Sequence, residues 1–132
     1  MSSRVVIKLG GGLITDKGSM KKFDPDSVER VADSISSIVG MGVPVVIVHG
    51  AGSFGHLLAK EWSISKGVDQ KIAKEQRIIV EEIRSDMREL NGLVIDRLSD
   101  SGLDSEGLPP SEWAIGTGSG FKGDITNFER VV

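Results

Sequence analysis

The stretch VVIVHGAGSFGHLLAK, residues 45–60, decides the fold. A run of β-branched residues ends at His49, and three glycines follow as Gly50-x-Gly52-x-x-Gly55. His56 comes next and opens an apolar stretch that reads as a short helix over residues 53–61. Strand, glycine turn and helix in succession bring backbone N–H groups and a helix N-terminus to one anion-binding spot. The same glycine spacing is the dinucleotide-binding fingerprint. That fingerprint needs a second strand, one helix later, ending in an acidic residue about 20 positions on that holds the ribose. Asp69 and Asp86 meet the distance alone, because their surroundings read as loop and helix. A histidine directly after the third glycine has no part in such a site, so a nicotinamide reading is disfavoured. No G-x-x-x-x-G-K-[ST] stretch occurs, which excludes a P-loop.

Outward from this stretch, VVIKL at 5–9 reads as a first strand, broken by the glycines at 10–12. Residues 13–22 read as a loop or an ill-defined helix start. Asp24 and Pro25 mark a helix N-terminus, with Asp24 as N-cap and Pro25 in the first turn. Val28, Val31, Ala32, Ile35, Ile38 and Val39 then recur at helical spacing until Gly40 or Gly42. Pro44 precedes VVIVH, whose continuous apolar character predicts burial on both faces, as in a parallel sheet. The opening unit is thus β-α-β with a right-handed crossover. Residues 71–98 carry Ile72, Ile79, Val80, Ile83, Met87, Leu90, Val94 and Leu98 on one stripe of a long helix. Gly92 is a candidate kink, and Glu82, Arg84, Asp86, Arg88 and Glu89 fall on the wet side. After a loop, WAI at 113–115 suggests a short strand. Asp124 then caps a last amphipathic helix through Ile125, Phe128 and Val131 or Val132.

The whole sequence has 132 residues, 39% hydrophobic and 27% charged, which is the profile of one globular domain. A net charge of −3 argues against nucleic acid as a partner. There is no cysteine, hence no disulfide framework, and no apolar run long enough for a signal peptide or a membrane span. An intracellular, cytoplasmic setting is the default expectation. The final helix leads to no further strand, so these residues are expected to be the first part of a longer protein.

IKLGGG ends the first strand and VHGAGSFGH ends the second. Parallel neighbours present their carboxyl ends at one sheet edge, where ligands bind. Both glycine loops should therefore face one place, with Lys8 at the end of a strand, Lys17 just past the first loop and His56 past the second. Such parts suit phosphoryl transfer, which depends on positioning and positive charge. Each also has a plainer reading. Gly10, Gly11 and Gly12 suit a tight turn, and Lys17 a solvated surface. His49 suits a strand end bonded to backbone, and Ser53 suits an N-cap better than a nucleophile.

IKLGGGLITDK at 7–17 together with VHGAGSFGH at 48–56 resembles the amino-acid kinase superfamily. Within it, the GSFGH element at 52–56 looks most like isopentenyl phosphate kinases rather than acetylglutamate, glutamate or uridylate kinases. Fosfomycin kinases share a similar element. A long helix, the Pro109-Pro110 pair and FKGDITNFERVV at 121–132 extend the likeness over nearly the whole chain. The resemblance implies an α/β three-layer sandwich with a mainly parallel central sheet, of which residues 1–132 are the N-terminal, phosphate-acceptor-binding part. The nucleotide-binding part lies elsewhere.

The resemblance also implies transfer of the ATP γ-phosphoryl group to isopentenyl phosphate, with Mg2+, by a homodimer. Lys8 would bridge the ATP phosphates and the transferred group, and Gly10, Gly11, Gly12 and Gly52 would line the ATP phosphates. Lys17 would neutralise transition-state charge. Ala51, Gly55 and His56 would hold the acceptor, with His56 on its phosphate and the prenyl tail near the 71–98 helix. Many relatives have Gly in place of Ala51, and Ser or Ala in place of Gly12. Alone, the 132 residues are expected to give negligible turnover. The alternatives are a kinase for another small phosphate or phosphonate, such as fosfomycin, and a non-catalytic anion-binding half.

Overall fold

The computed structural model describes residues 3–116 and 121–123. Strands β1 (Val5–Leu9) and β2 (Val45–His49) pair in parallel, Val5 with Val45 through to Leu9 with His49. A one-turn helix, α1 (Gly11–Ile14), follows β1 directly. Helix α2 (Pro25–Gly40) crosses back to β2. After β2 come a 3-10 turn at Gly52–Phe54, a short helix α3 (His56–Glu61) and the long helix α4 (Ala73–Asp100). Strands β3 (Ala114–Gly116) and β4 (Phe121–Gly123) form a separate antiparallel pair.

Helix α2 starts where its sequence says it should. The Asp24 carboxylate accepts the Ser27 N–H at 3.0 Å and the Ser27 hydroxyl at 2.8 Å, and Pro25 fills a first-turn position whose missing N–H costs nothing. The Ser27 backbone bond, and then the hydroxyl, hold the Asp24 pKa below its ordinary value. The cap is therefore fully formed above the ordinary carboxylate range and weakens as acid protonates Asp24. The helix ends at Gly40, and Gly42, at φ +79°, makes the reversal that an L side chain would resist.

One core holds these elements together. Leu9, Ile14, Val28, Ala32, Ile35, Phe54, Leu90, Val94 and Leu98 form a single buried cluster, with Ile7, Val45 and Ile47 packed against it. Side chains alternate along a strand, so Val5, Ile7 and Leu9 share the face that carries the core. The expectation that β2 is buried on both faces fails. Val6 is 66% exposed and Val48 is 49% exposed, and Lys8 is exposed between them on the same face. The helices cover only one side of the pair among the described residues, so the other side stands open.

Helix α4 runs unbroken through Gly92 for 28 residues. Its buried positions are Ile79, Leu90, Val94 and Leu98, with two polar residues added, Gln76 and Asp86. Asp86 thus departs from the wet face that the pattern assigned to it. The WAI segment yields a strand one residue later than read, and β4 was not foreseen. The helix expected after Asp124 lies outside the described residues.

Candidate phosphate-handling site

The two glycine turns touch. A Cβ added to Gly11 would lie 2.6 Å from Gly52 Cα, and one on Gly50 would lie 2.8 Å from Gly11 N. Backbone meets backbone here, and only glycine permits the approach. Gly52 also sits at φ +49°, and a Cβ there would overlap Thr15 Oγ1 and come within 2.6 Å of Gly11 O. The expectation that parallel pairing brings both turns to one edge is met.

Thr15 rivets the turns together. Its buried hydroxyl donates to Gly11 O at 2.7 Å and accepts the Ser53 N–H at 3.0 Å. Thr15→Val keeps the shape but leaves a buried N–H unbonded and strips Gly11 O of one donor. A loss of about 2 kcal/mol in unfolding free energy is expected, read from urea denaturation at unchanged m-value. Ser53 turns out to be a second rivet. Its carbonyl accepts the Lys21 N–H and its hydroxyl the Lys22 N–H, each at 3.2 Å. Ser53 is therefore not the N-cap that the sequence suggests, since its hydroxyl caps no helix; Thr15 does not stand out in the sequence, because small hydroxyls near glycines are common in turns.

The Gly50, Phe54 and Gly55 N–H groups bond to Leu9 O, Ala51 O and Gly52 O. Those of Ala51 and Gly52 meet no acceptor among the described residues. Helix geometry likewise leaves the first N–H groups of α1, on Gly11 and Gly12, without intrahelical partners. Lys17 lies across Gly12, so that a Cβ on Gly12 would sit 2.9 Å from its Nζ. Lys17, though exposed, is therefore folded back over the first turn. Gly10 has nothing within 4 Å of where its Cβ would be.

Lys8 is exposed on the open sheet face with no hydrogen bond or ion pair among the described residues. Its charge thus stands in solvent at the end of the strand rather than inside the sheet. His56 is exposed at the first position of α3. The single helix expected from Ser53 is instead a three-residue 3-10 turn and a six-residue helix, parted at Gly55. Gly55 is pressed against its neighbours, with Ala51 Cβ, Met87 Sδ and Ile83 Cγ2 at 2.9, 3.5 and 3.7 Å from where its own Cβ would be. So short a turn sums few peptide dipoles, and its pull on an anion comes from individual N–H groups. His49 follows its plainer reading, with Nδ1 3.0 Å from Gly50 O and Nε2 3.1 Å from Asn91 Oδ1, tying β2 to α4.

A cavity of about 810 Å3 opens beyond the far end of α3, between Trp62, Lys66, Val68, Lys71 and Gln76. Its frame is the buried Gln76 amide, which donates to Trp62 O and Gly67 O and accepts the Asp69 N–H. Its lining mixes both signs of charge and includes a single glycine, Gly67. No group of three or more His, Asp or Glu among the described residues is placed to hold a metal.

A family model described as "Amino acid kinase family" matches residues 3–130. The chain belongs to that family. The isopentenyl phosphate kinase of Methanothermobacter thermautotrophicus is 33% identical over 109 residues, which are 81% of this chain and 40% of that protein. A solved isopentenyl phosphate kinase superposes with a TM-score of 0.85 at 29% identity, over 97% of this chain and 53% of that one. The Thermoplasma acidophilum enzyme in its product complex gives 0.78 at 27% identity, over 97% and 50%. The architecture is therefore the amino acid kinase α/β fold with a parallel sheet. This chain spans about two fifths of the curated relative and about half of the solved structures.

Proposed function

We propose that the protein transfers the γ-phosphoryl group of ATP to isopentenyl phosphate, yielding isopentenyl diphosphate and ADP, and that residues 1–132 form the acceptor side of the site. One juxtaposition carries the reading: two touching glycine turns that offer the unbonded Ala51 and Gly52 N–H groups beside Lys17. Several isopentenyl phosphate kinases among the relatives lend it support.

A phosphate oxygen of the acceptor attacks the γ-phosphorus, and the bond to the β-bridging oxygen breaks to release ADP. Both reactants are anions, so the chemistry rests on neutralising charge and holding the oxygens in line. In this reading Ala51 N–H and His56 grip the acceptor phosphate, and Gly55 lets it approach. Gly10, Gly11, Gly12 and Gly52 cradle the ATP phosphates. Lys8 bridges donor and acceptor, and Lys17 meets the transition-state charge. Ile83 and Met87, facing Gly55 from α4, offer an apolar wall for the prenyl tail. Mg2+, the usual companion of ATP, would be held chiefly by the ATP phosphates and water and would neutralise part of their charge. The enzyme works as a homodimer on a small soluble phosphate in the cytoplasm. No helix among the described residues is long and apolar enough to cross a membrane.

The test is ADP release by the protein as encoded, with isopentenyl phosphate, fosfomycin and uridine monophosphate compared side by side. A preference for isopentenyl phosphate bears the reading out. A preference for fosfomycin moves it to the neighbouring branch, and no turnover with any of them leaves an anion-binding protein. His56→Ala should raise KM for isopentenyl phosphate about 10- to 100-fold, the worth of one charge-assisted hydrogen bond. A KM that stays put removes His56 from the acceptor site.

A further inference from the structure

Among the described residues, Lys21 is the one non-glycine residue beside Ser63 whose backbone holds a positive φ, at +51°. That conformation disfavours an L side chain, so its neighbours must hold it. Two carboxylates of α4 do so. Lys21 Nζ lies 2.6 Å from Glu89 and 3.0 Å from Asp86, and 6.0 Å from the centre of the Phe54 ring. Glu89, and then Asp86, raise the Lys21 pKa above its ordinary value. Asp86 is only 7% exposed on a helix whose other buried faces are mainly apolar. A buried or half-buried ion pair adds little to stability over a hydrophobic contact of the same size. What it adds is a fixed register between the parts it joins.

The parts joined here are α4 and the segment that carries Lys17. Residues 15–23 double back on themselves, with Thr15 bridged to Phe23 and Asp16 N–H bonded to Lys22 O at 2.9 Å. Asp16 closes the tip by accepting the Gly18 N–H and the Ser19 hydroxyl, each at 3.1 Å. One arm is fixed to the glycine turns by Thr15. The other is fixed by the Lys21 and Lys22 N–H groups on Ser53, and by the Lys21 ammonium on α4. Lys17 sits at the tip between these arms.

We propose that Lys21, clamped by Asp86 and Glu89, is a positioning residue that sets Lys17 over the first glycine turn. The role of Lys17 in catalysis rests on the function proposed above, but its position does not. The experiment separates the two. Lysine labelled with 13C at Cε is incorporated into the protein as encoded, and the Lys17 signal is assigned by its loss in Lys17→Arg. In Lys21→Met that signal should move to the shift of a free surface lysine, and Lys21→Arg should restore it. Kinetics supply the second readout. Lys21→Met should lower kcat between about tenfold and about a hundredfold, the range a small misplacement produces, with KM for isopentenyl phosphate unchanged.

The decisive comparison is the double variant. If Lys21 acts through Lys17, Lys17→Met with Lys21→Met turns over no more slowly than Lys17→Met alone. Effects that multiply, or a Lys17 signal that stays in place, overturn the proposal. Glu89→Gln, which removes the exposed partner and buries nothing new, gives the same test at smaller amplitude should Lys21→Met not fold. A wild-type protein without activity on isopentenyl phosphate defeats the proposed function, while the Lys17 signal still decides the positioning role.

Discussion

Gly52→Ala is expected to lower the unfolding free energy by about 4 kcal/mol and to disable the phosphate site in the same step. Two independent costs meet at this residue. The φ of +49° puts an L side chain in the left-handed region, at about 1–2 kcal/mol. The new methyl would also occupy the place of Thr15 Oγ1 and press on Gly11 O, which are backbone and a buried rivet rather than mobile side-chain ends. Overpacking of that kind costs about 1–3 kcal/mol. Gly42→Ala is the control, for it has a φ of +79° with nothing within 4 Å, and so isolates the conformational cost. Urea denaturation of the two variants should differ by the packing part. Equal losses would mean that the two turns do not press together as described.

Lys8→Met gives the opposite pattern, a large loss of rate with little loss of stability. Lys8 is exposed on the open face of β1 and has no partner among the described residues, so its charge supports no contact whose loss would unfold the protein. The unfolding midpoint should shift by no more than about 0.5 kcal/mol equivalent. Phosphoryl transfer should fall about a thousandfold, the scale on which removing one positive charge from a phosphoryl-transfer site is felt. Lys8→Arg should recover part of it. A Lys8→Met protein with near-normal kcat and KM would remove Lys8 from the reaction and return it to the status of a solvated strand residue.

The frame of the site was legible because its signals are local. Apolar runs of five, glycines directly behind them, and Asp24-Pro25 ahead of a helical stripe each specify their own structure within a few residues. What escaped depends on distant partners. Asp86 falls on the polar side of α4 by periodicity, and only the approach of Lys21 from another part of the chain makes its burial tolerable. Lys21 itself reads as one lysine of a pair in a polar loop. The apolar run of β2 suggested cover on both faces, yet the same residues serve a face that stands open among those described. The break at Gly55 follows from crowding by Ala51 and α4, which no spacing within the GSFGH element reveals.

The pairing of β1 with β2 has a consequence for how the site comes into being. Its two halves lie on partners forty positions apart, Val5 against Val45 and Leu9 against His49, with all of α2 between them. Neither half can be prefabricated by a locally ordered peptide. The turns meet only when the long crossover closes, and that closure is an entropic hurdle crossed by the chain as a whole. A ligand that spans both turns therefore recognises the folded chain alone, and its binding free energy is added to the stability of the native state. An anion bound across both turns would then act on folding as well as on chemistry: it would hold shut the loop that created its own site.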